Sequence, residues 1–147
     1  IGQRGAGKSS LIGSLSEGLR YRPPARAAEL KADGLQWHYL RAGVLIDSEG
    51  ALASAAPGTP EARRWEDGLD ALDALRPERA LDGAILCVSA GALRLTGRGG
   101  REALATEAAR QLEQLQTATD FMLPIYVVVT RCDEIPGFSA FWRAVDG

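Results

Sequence analysis

Leu104, Ala108, Leu112 and Leu115 recur on one side of the stretch Arg101–Thr119, the spacing of an amphipathic helix. Trp65, Leu69, Leu72 and Leu75 repeat the pattern over Glu61–Leu75, and Pro77 stops that helix. Two further apolar runs, Ala84–Ser89 and Ile125–Thr130, have no helical period. They are short and continuous, as strands buried on both faces of a parallel sheet are. Leu35–Leu40 and Val44–Asp47 are two more strand candidates, and the turn-like break Arg41-Ala42-Gly43 between them suits a hairpin. Leu11, Ile12 and Leu15 form the apolar stripe of a first helix over Ser9–Leu19, and Phe138–Val145 begins a last one.

The remaining segments read as connections. Tyr21–Lys31 carries Pro23 and Pro24 and is expected to be irregular; Ser48–Pro60 is rich in Gly, Ala and Pro and is expected to be mobile; Gly91–Gly100 is expected to be a loop. Strands alternating with helices predict one α/β domain over residues 1–147, its sheet mostly parallel and covered by helices on both faces. Ligands in such folds bind beyond the C-terminal ends of the strands.

Composition narrows the function classes. With 46% apolar and 24% charged residues the chain is an ordinary soluble composition, and its net charge of −2 with scattered basic residues offers no footprint for nucleic acid. No apolar run approaches the length of a membrane span and no signal peptide is visible, so no membrane contact is expected of this chain itself. Cys87 and Cys132 lack metal-ligand spacing and read as reduced, partly buried thiols.

The residues that carry chemistry sit at the predicted strand ends. Gly2-Gln3-Arg4-Gly5-Ala6-Gly7-Lys8-Ser9 is a full Gly-x-x-x-x-Gly-Lys-Ser phosphate loop, followed by Ser10 and the first helix. In such a loop glycines let backbone N–H groups close on phosphate oxygens, the lysine reaches the outer phosphates, the hydroxyl ligates magnesium, and the helix adds its positive end. The strand that feeds the loop would lie ahead of Ile1. With no initiator Met, the sequence reads as a piece of a longer protein, its three-layer NTPase fold cut at both ends.

Asp47-Ser48-Glu49-Gly50 has the Asp-x-x-Gly form of nucleotide switches, in which the Asp holds magnesium and the Gly N–H meets the terminal phosphate. Thr130-Arg131-Cys132-Asp133 resembles the guanine-specificity motif of GTPases. A fixed carboxylate at Asp133 would accept both the N1–H and the 2-amino group of guanine, whereas adenine presents an acceptor at that edge. Asp133 as a cap of the turn before Pro136-Gly137 is the structural alternative. Arg131 replaces the usual Lys, in a chain with only two lysines among seventeen basic residues, and a guanidinium there could stack on a base.

Efficient hydrolysis is not indicated. No Thr lies between Ser10 and Asp47 to act as a switch residue, and Ala51 follows Gly50 where many GTPases place a Gln. Arg4 stands where it would either stabilise transferred charge or crowd the terminal phosphate, crowding or solvent exposure being the simpler reading. His38 in Trp37-His38-Tyr39 reads as packing or surface, and Arg63, Arg64, Arg76 and Arg79 as solvated helix ends.

Several segments together resemble the N-terminal cytoplasmic domain of the IcmF/TssM family of type VI secretion. They are Gly2–Ser10, Leu35-Gln36-Trp37, Val44–Gly50, Arg76–Leu86 and, most specifically, Pro124–Phe138 with its Thr130-Arg131-Cys132-Asp133-Glu134-Ile135-Pro136-Gly137-Phe138 run. The resemblance implies a GTPase-like domain at the cytoplasmic face of the bacterial inner membrane, within a membrane-anchored protein whose partners are other membrane-complex and baseplate proteins. It carries Lys8 and Ser9 over as phosphate and magnesium contacts, Asp47 and Gly50 as the switch, and Thr130–Asp133 as the base site. The implied ligands are Mg2+ and GTP, with ATP possible. The family usually has Asp-Thr-Ala-Gly at the switch, whereas Ser48-Glu49-Gly50 here puts a carboxylate beside the phosphates. The alternative function is a degenerate phosphate-loop scaffold that docks proteins of the secretion apparatus without turning over nucleotide.

Overall fold

A computed structural model describes residues 1–16, 34–40 and 43–145. The end of the first predicted helix, the Tyr21–Lys31 connection and Arg41-Ala42 of the hairpin turn lie outside the described residues. In chain order the elements are α1 (Lys8–Ser16), β1 (Leu35–Leu40), β2 (Gly43–Ser48), α2 (Gly50–Ala53) and α3 (Pro60–Leu75). They continue with β3 (Ala84–Ser89), α4 (Ala90–Leu95), α5 (Arg98–Thr119), β4 (Ile125–Thr130), a 3-10 turn (Cys132–Glu134) and α6 (Phe138–Val145).

Local chemistry explains where the long helices start and stop. Thr59 caps α3, its Oγ1 accepting the N–H of Ala62 at 3.2 Å, with Pro60 in the first turn where no N–H is needed. The helix then buries Trp65, Leu69 and Leu72 and ends before Pro77. The last turn of α5 ends at Asp120, which adopts the left-handed conformation that closes many helices. These two helices pack on each other, and α3 also packs on α2. The core is formed at that junction by Leu35, Leu52, Trp65, Leu69, Leu72, Leu115 and Leu123.

The chain is α/β, but its strands do not form the single mostly parallel sheet that the alternation of elements predicts. Among the described residues there are two two-stranded sheets. One is the antiparallel pair β1–β2, running from Leu35 opposite Ser48 to Leu40 opposite Gly43; the other is the parallel pair β3–β4, running from Ala84 opposite Ile125 to Ser89 opposite Thr130. Among the described residues β2 and β3 do not pair, and the backbone of Ile1 lies against β3. Ile1 donates to the carbonyl of Ile85 at 2.8 Å and accepts from the N–H of Cys87 at 3.0 Å, the two bonds of a parallel ladder.

Three further expectations are corrected. Ser48–Pro60 is not uniformly loop: Gly50–Ala53 forms α2, because Leu52 and Ala53 find burial in the core. Within Gly91–Gly100, Ala90–Leu95 is helical and α5 already begins at Arg98; of the glycines only Gly97 lies in the junction, while Gly91, Gly99 and Gly100 sit in first turns beside the helix formers Ala, Leu and Arg. β4 is not buried on both faces. Tyr126 is 64% and Val127 63% exposed, and as neighbours in the strand they point to opposite faces, so neither face of β4 is fully covered by the described residues.

Removing core contact at the α3–α5 junction tests this packing. Leu69→Ala is expected to lower unfolding stability by about 2–4 kcal/mol in urea titration, whereas Leu95→Ala, at a position 78% exposed, stays within about 0.5 kcal/mol. Equal losses at the two positions would refute the assignment of the core.

Candidate functional site

The loop Gly2–Gly7 is held from three sides, and each hold uses a strand end. Gly2 lies against β3 so closely that a Cβ there would come 2.4 Å from the carbonyl oxygen of Cys87. From β4, the Thr130 hydroxyl donates to the carbonyl of Ala6 at 2.6 Å, with a second contact to the carbonyl of Val88 at 3.3 Å. From β2, Asp47 Oδ2 accepts the hydroxyl of Ser9, in the first turn of α1, at 2.8 Å.

Gly50 completes the enclosure. A Cβ on it would meet Arg4 N at 2.4 Å and Gln3 C at 2.8 Å, so the start of α2 lies directly on the loop backbone. No other residue type fits without moving one of the two segments.

Lys8 bends back across the loop, its Nζ donating to the carbonyls of Gly2 at 3.0 Å and Gln3 at 3.1 Å. A flexible ammonium resting on two carbonyls is a cation held over an anion-sized concavity, and a phosphate would compete for it. Asp47 is 8% exposed and its Oδ1 is buried with no hydrogen-bond partner. A buried, unpaired carboxylate oxygen costs desolvation unless a further donor or cation meets it. Ser9 and Asp47 supply a hydroxyl and a carboxylate, the hard oxygen set suited to magnesium, which takes its other ligands from phosphates and water. Among the described residues no group of three or more His, Cys, Asp and Glu clusters as a protein-only metal cage.

The structure brings Gly2, Arg4, Gly5, Ala6, Gly7, Lys8, Ser9, Asp47, Gly50, Thr130 and Arg131 to one place. Ser10 sits exposed in the first turn of α1. Arg131 takes the left-handed conformation, φ 57°, rare for a side chain other than Gly or Asn. Its guanidinium donates to the carbonyl of Gly5 at 3.2 Å and pairs with Glu134, so it bridges the turn after β4 to the glycine loop. Asp133 is exposed in the 3-10 turn. His38 is half-buried in β1, as packing predicts. Cys87 is buried, which pushes its thiol pKa up, and Cys132 is half-buried; both are free thiols.

Sequence reasoning missed a polar cluster that ties this site to α5. The Ser54 hydroxyl donates to the carbonyl of Gly50 at 2.7 Å and accepts from Gln111 Nε2 at 3.1 Å. Gln111, only 1% exposed, also donates to Glu107 Oε1 at 2.8 Å. Arg110 pairs with Glu107 at 2.8 Å and donates to the carbonyl of Ala53 at 2.9 Å, the last residue of α2. α2 thus rests on the loop at one end and on α5 at the other. The available signal was the spacing itself: Glu107 and Gln111 are one helical turn apart on a helix whose apolar stripe alone had been read.

These features describe an α/β domain with a glycine loop held against its strands. The sequence profile of the IcmF-related N-terminal domain matches residues 59–147, and the chain belongs to that family. The chain is also 27% identical, over 99% of its length, to the type VI secretion system component TssM1 of Pseudomonas aeruginosa. It spans 14% of that protein. No solved structure matches. Among the described residues no helix is long and apolar enough to cross a membrane.

The Arg110 guanidinium beside Glu107, with Gln111 and Ser54, holds the Glu107 carboxyl below its ordinary value of 4.5. A depressed carboxylate pKa contributes stability that is full above the unfolded value and lost as pH falls through the folded one. Glu107→Gln is therefore expected to cost roughly 1 kcal/mol at about pH 7 and much less at about pH 3, read from urea unfolding at the two pH values. A loss independent of pH would show that the charge contributes nothing. In the same assay Gly50→Ala is expected to destabilise by about 2 kcal/mol or more, through the clash with Arg4.

Proposed function

We propose that this chain is a phosphate-loop NTPase fold that binds a guanine nucleotide with Mg2+ and hydrolyses it slowly at most. In this reading it is a cytoplasmic domain of a type VI secretion membrane-complex protein, working at the inner membrane with other components of that apparatus. The observation that supports it is the placement of Lys8 Nζ over the loop carbonyls beside the Ser9–Asp47 pair, whose second carboxylate oxygen has no partner. Lys8 and the loop amides would hold the phosphates, Ser9 and Asp47 the magnesium, and Gly50 would sense the terminal phosphate through its N–H. Thr130 and Arg131 would shape the floor beside the loop, and Asp133 would select guanine over adenine. Slow turnover follows from the absence of a switch Thr between Ser10 and Asp47 and of a Gln after Gly50.

Isothermal titration with Mg-GTP and Mg-ATP tests the proposal. Wild type is expected to prefer GTP, Lys8→Ala to lose tenfold or more in affinity, about 1.5–3 kcal/mol, and Asp133→Ala to lose the preference between the two nucleotides. Binding unaffected by Lys8→Ala, or no binding at all, would remove the nucleotide reading. The same missing Thr and Gln favour a second reading, a docking scaffold whose loop no longer takes nucleotide; unchanged secretion in cells carrying Lys8→Ala would favour it.

A further inference from the structure

Beside the glycine loop, α5 stands off from β3 and leaves a partly open cavity of about 590 Å3. Its wall on one side is Gly2–Ala6; Leu86 and Val88 on β3, Leu93 on α4, and Leu104, Ala108 and Leu112 on α5 give it an apolar interior, with Arg101, Glu107, Gln111 and Arg131 also in the lining. None of these apolar residues carries a role in the nucleotide reading. The volume lies in the range of about 300–1,000 Å3 typical of ligand pockets. The apolar surface does not end at the cavity, however. Leu93, which lines it, is itself 36% exposed, and one small molecule filling the cavity would leave that surface uncovered.

The unpaired charge around this surface is positive, since Glu107 and Arg131, which also line the cavity, are paired with Arg110 and Glu134. Arg4 and Arg101 line the cavity, and Arg94 lies between Leu93 and Leu95 on α4. Arg4 and Arg94 have no ion-pair or hydrogen-bond partner among the described residues. Arg101 donates only to the carbonyls of Leu93 at 3.5 Å and Thr96 at 3.1 Å, which leaves its charge unneutralised. The acidic groups nearest in sequence are already engaged, Glu102 with Arg98 and Glu107 with Arg110. A chain of net charge −2 therefore presents three unneutralised guanidiniums around one apolar cavity.

We propose that the cavity between the glycine loop, β3, α4 and α5 is a docking site for a protein segment that inserts a large apolar side chain and flanks it with carboxylates. The inserted side chain fills the space between Ala108 and Leu86, an adjoining apolar residue covers Leu93, and the carboxylates meet Arg4, Arg94 and Arg101. Arg–carboxylate pairs at the edge of a desolvated apolar anchor are a recurrent arrangement of interface hot spots. The apolar anchor is what distinguishes this occupant from an anionic membrane surface or a polynucleotide, which would use the arginines but not the cavity.

A phage-displayed random peptide library selected on the folded chain is the test. Selected peptides are expected to carry an aromatic residue or Leu next to Asp or Glu. Their affinity, measured by fluorescence anisotropy of the synthesised peptide, is expected to fall about tenfold or more with Arg101→Glu or Arg94→Glu, and with Ala108→Trp, which fills the cavity. Circular dichroism checks that Ala108→Trp is folded; the two exposed arginine variants keep the test decisive if it is not. Failure to select any peptide, selection of peptides without acidic residues, or affinities unchanged by the arginine variants would each overturn the proposal. So would binding to phosphatidylserine vesicles that is as tight as to the peptide and insensitive to Ala108→Trp, since the arginines would then be reading membrane charge. Peptide binding is measured without nucleotide, so loss of the nucleotide reading leaves this result standing.

Discussion

The constraint on which the rest of the structure depends is the capture of one short glycine loop by the ends of strands distant in sequence. Ser9 is tied to Asp47, Gly2 to the backbone of Cys87, and Ala6 to Thr130. Each contact is a backbone or short-side-chain approach that tolerates little displacement. β2, β3 and β4 can therefore meet the loop only in one arrangement. Just ahead of the loop, Ile1 pairs with the edge of β3 through its bonds to Ile85 and Cys87.

The second organising contact is α2, a helix of four residues with little stability of its own. It exists because Leu52 and Ala53 are buried in the core and because both ends are held, Gly50 against Arg4 and the Ala53 carbonyl by Arg110. Buried polar networks of the Ser54–Gln111–Glu107 kind are costly unless satisfied, and here most donors find acceptors. A displacement at the loop would be felt along α5, and the reverse. The apolar cavity lies between these same two elements.

Much of this was legible from residue pattern. The boundaries of α3, β1, β3, β4 and α6 follow from spacing and from Thr59, Pro60 and Pro77, whose effects are local. The glycine loop and the Asp47–Gly50 turn were legible because phosphate-loop chemistry demands particular residue types at particular intervals. What was not legible involved partners far apart in sequence. α2 looked like loop because a short Gly-Ala-Leu-Ala stretch is decided by burial, not propensity. β4 looked like a buried strand because Ile-Tyr-Val-Val-Val reads as apolar whether or not anything covers it. Arg131 offered a charge whose target could not be read, and the target is the Gly5 carbonyl together with Glu134.

By itself the sequence determined the order and kind of most elements, the presence of a Gly-x-x-x-x-Gly-Lys-Ser loop and the likeness to the IcmF/TssM family, because each depends on residues within a few positions of one another. Only the tertiary structure decided that Asp47 keeps one unpartnered oxygen beside Ser9, that Gly50 must be glycine because of the Arg4 backbone, and that α5 leaves a cavity against β3. The first two outcomes depend on distances between segments 38 or more residues apart, such as Ser9 and Asp47. Chain closure over such separations is settled by packing of the whole, which no local pattern encodes.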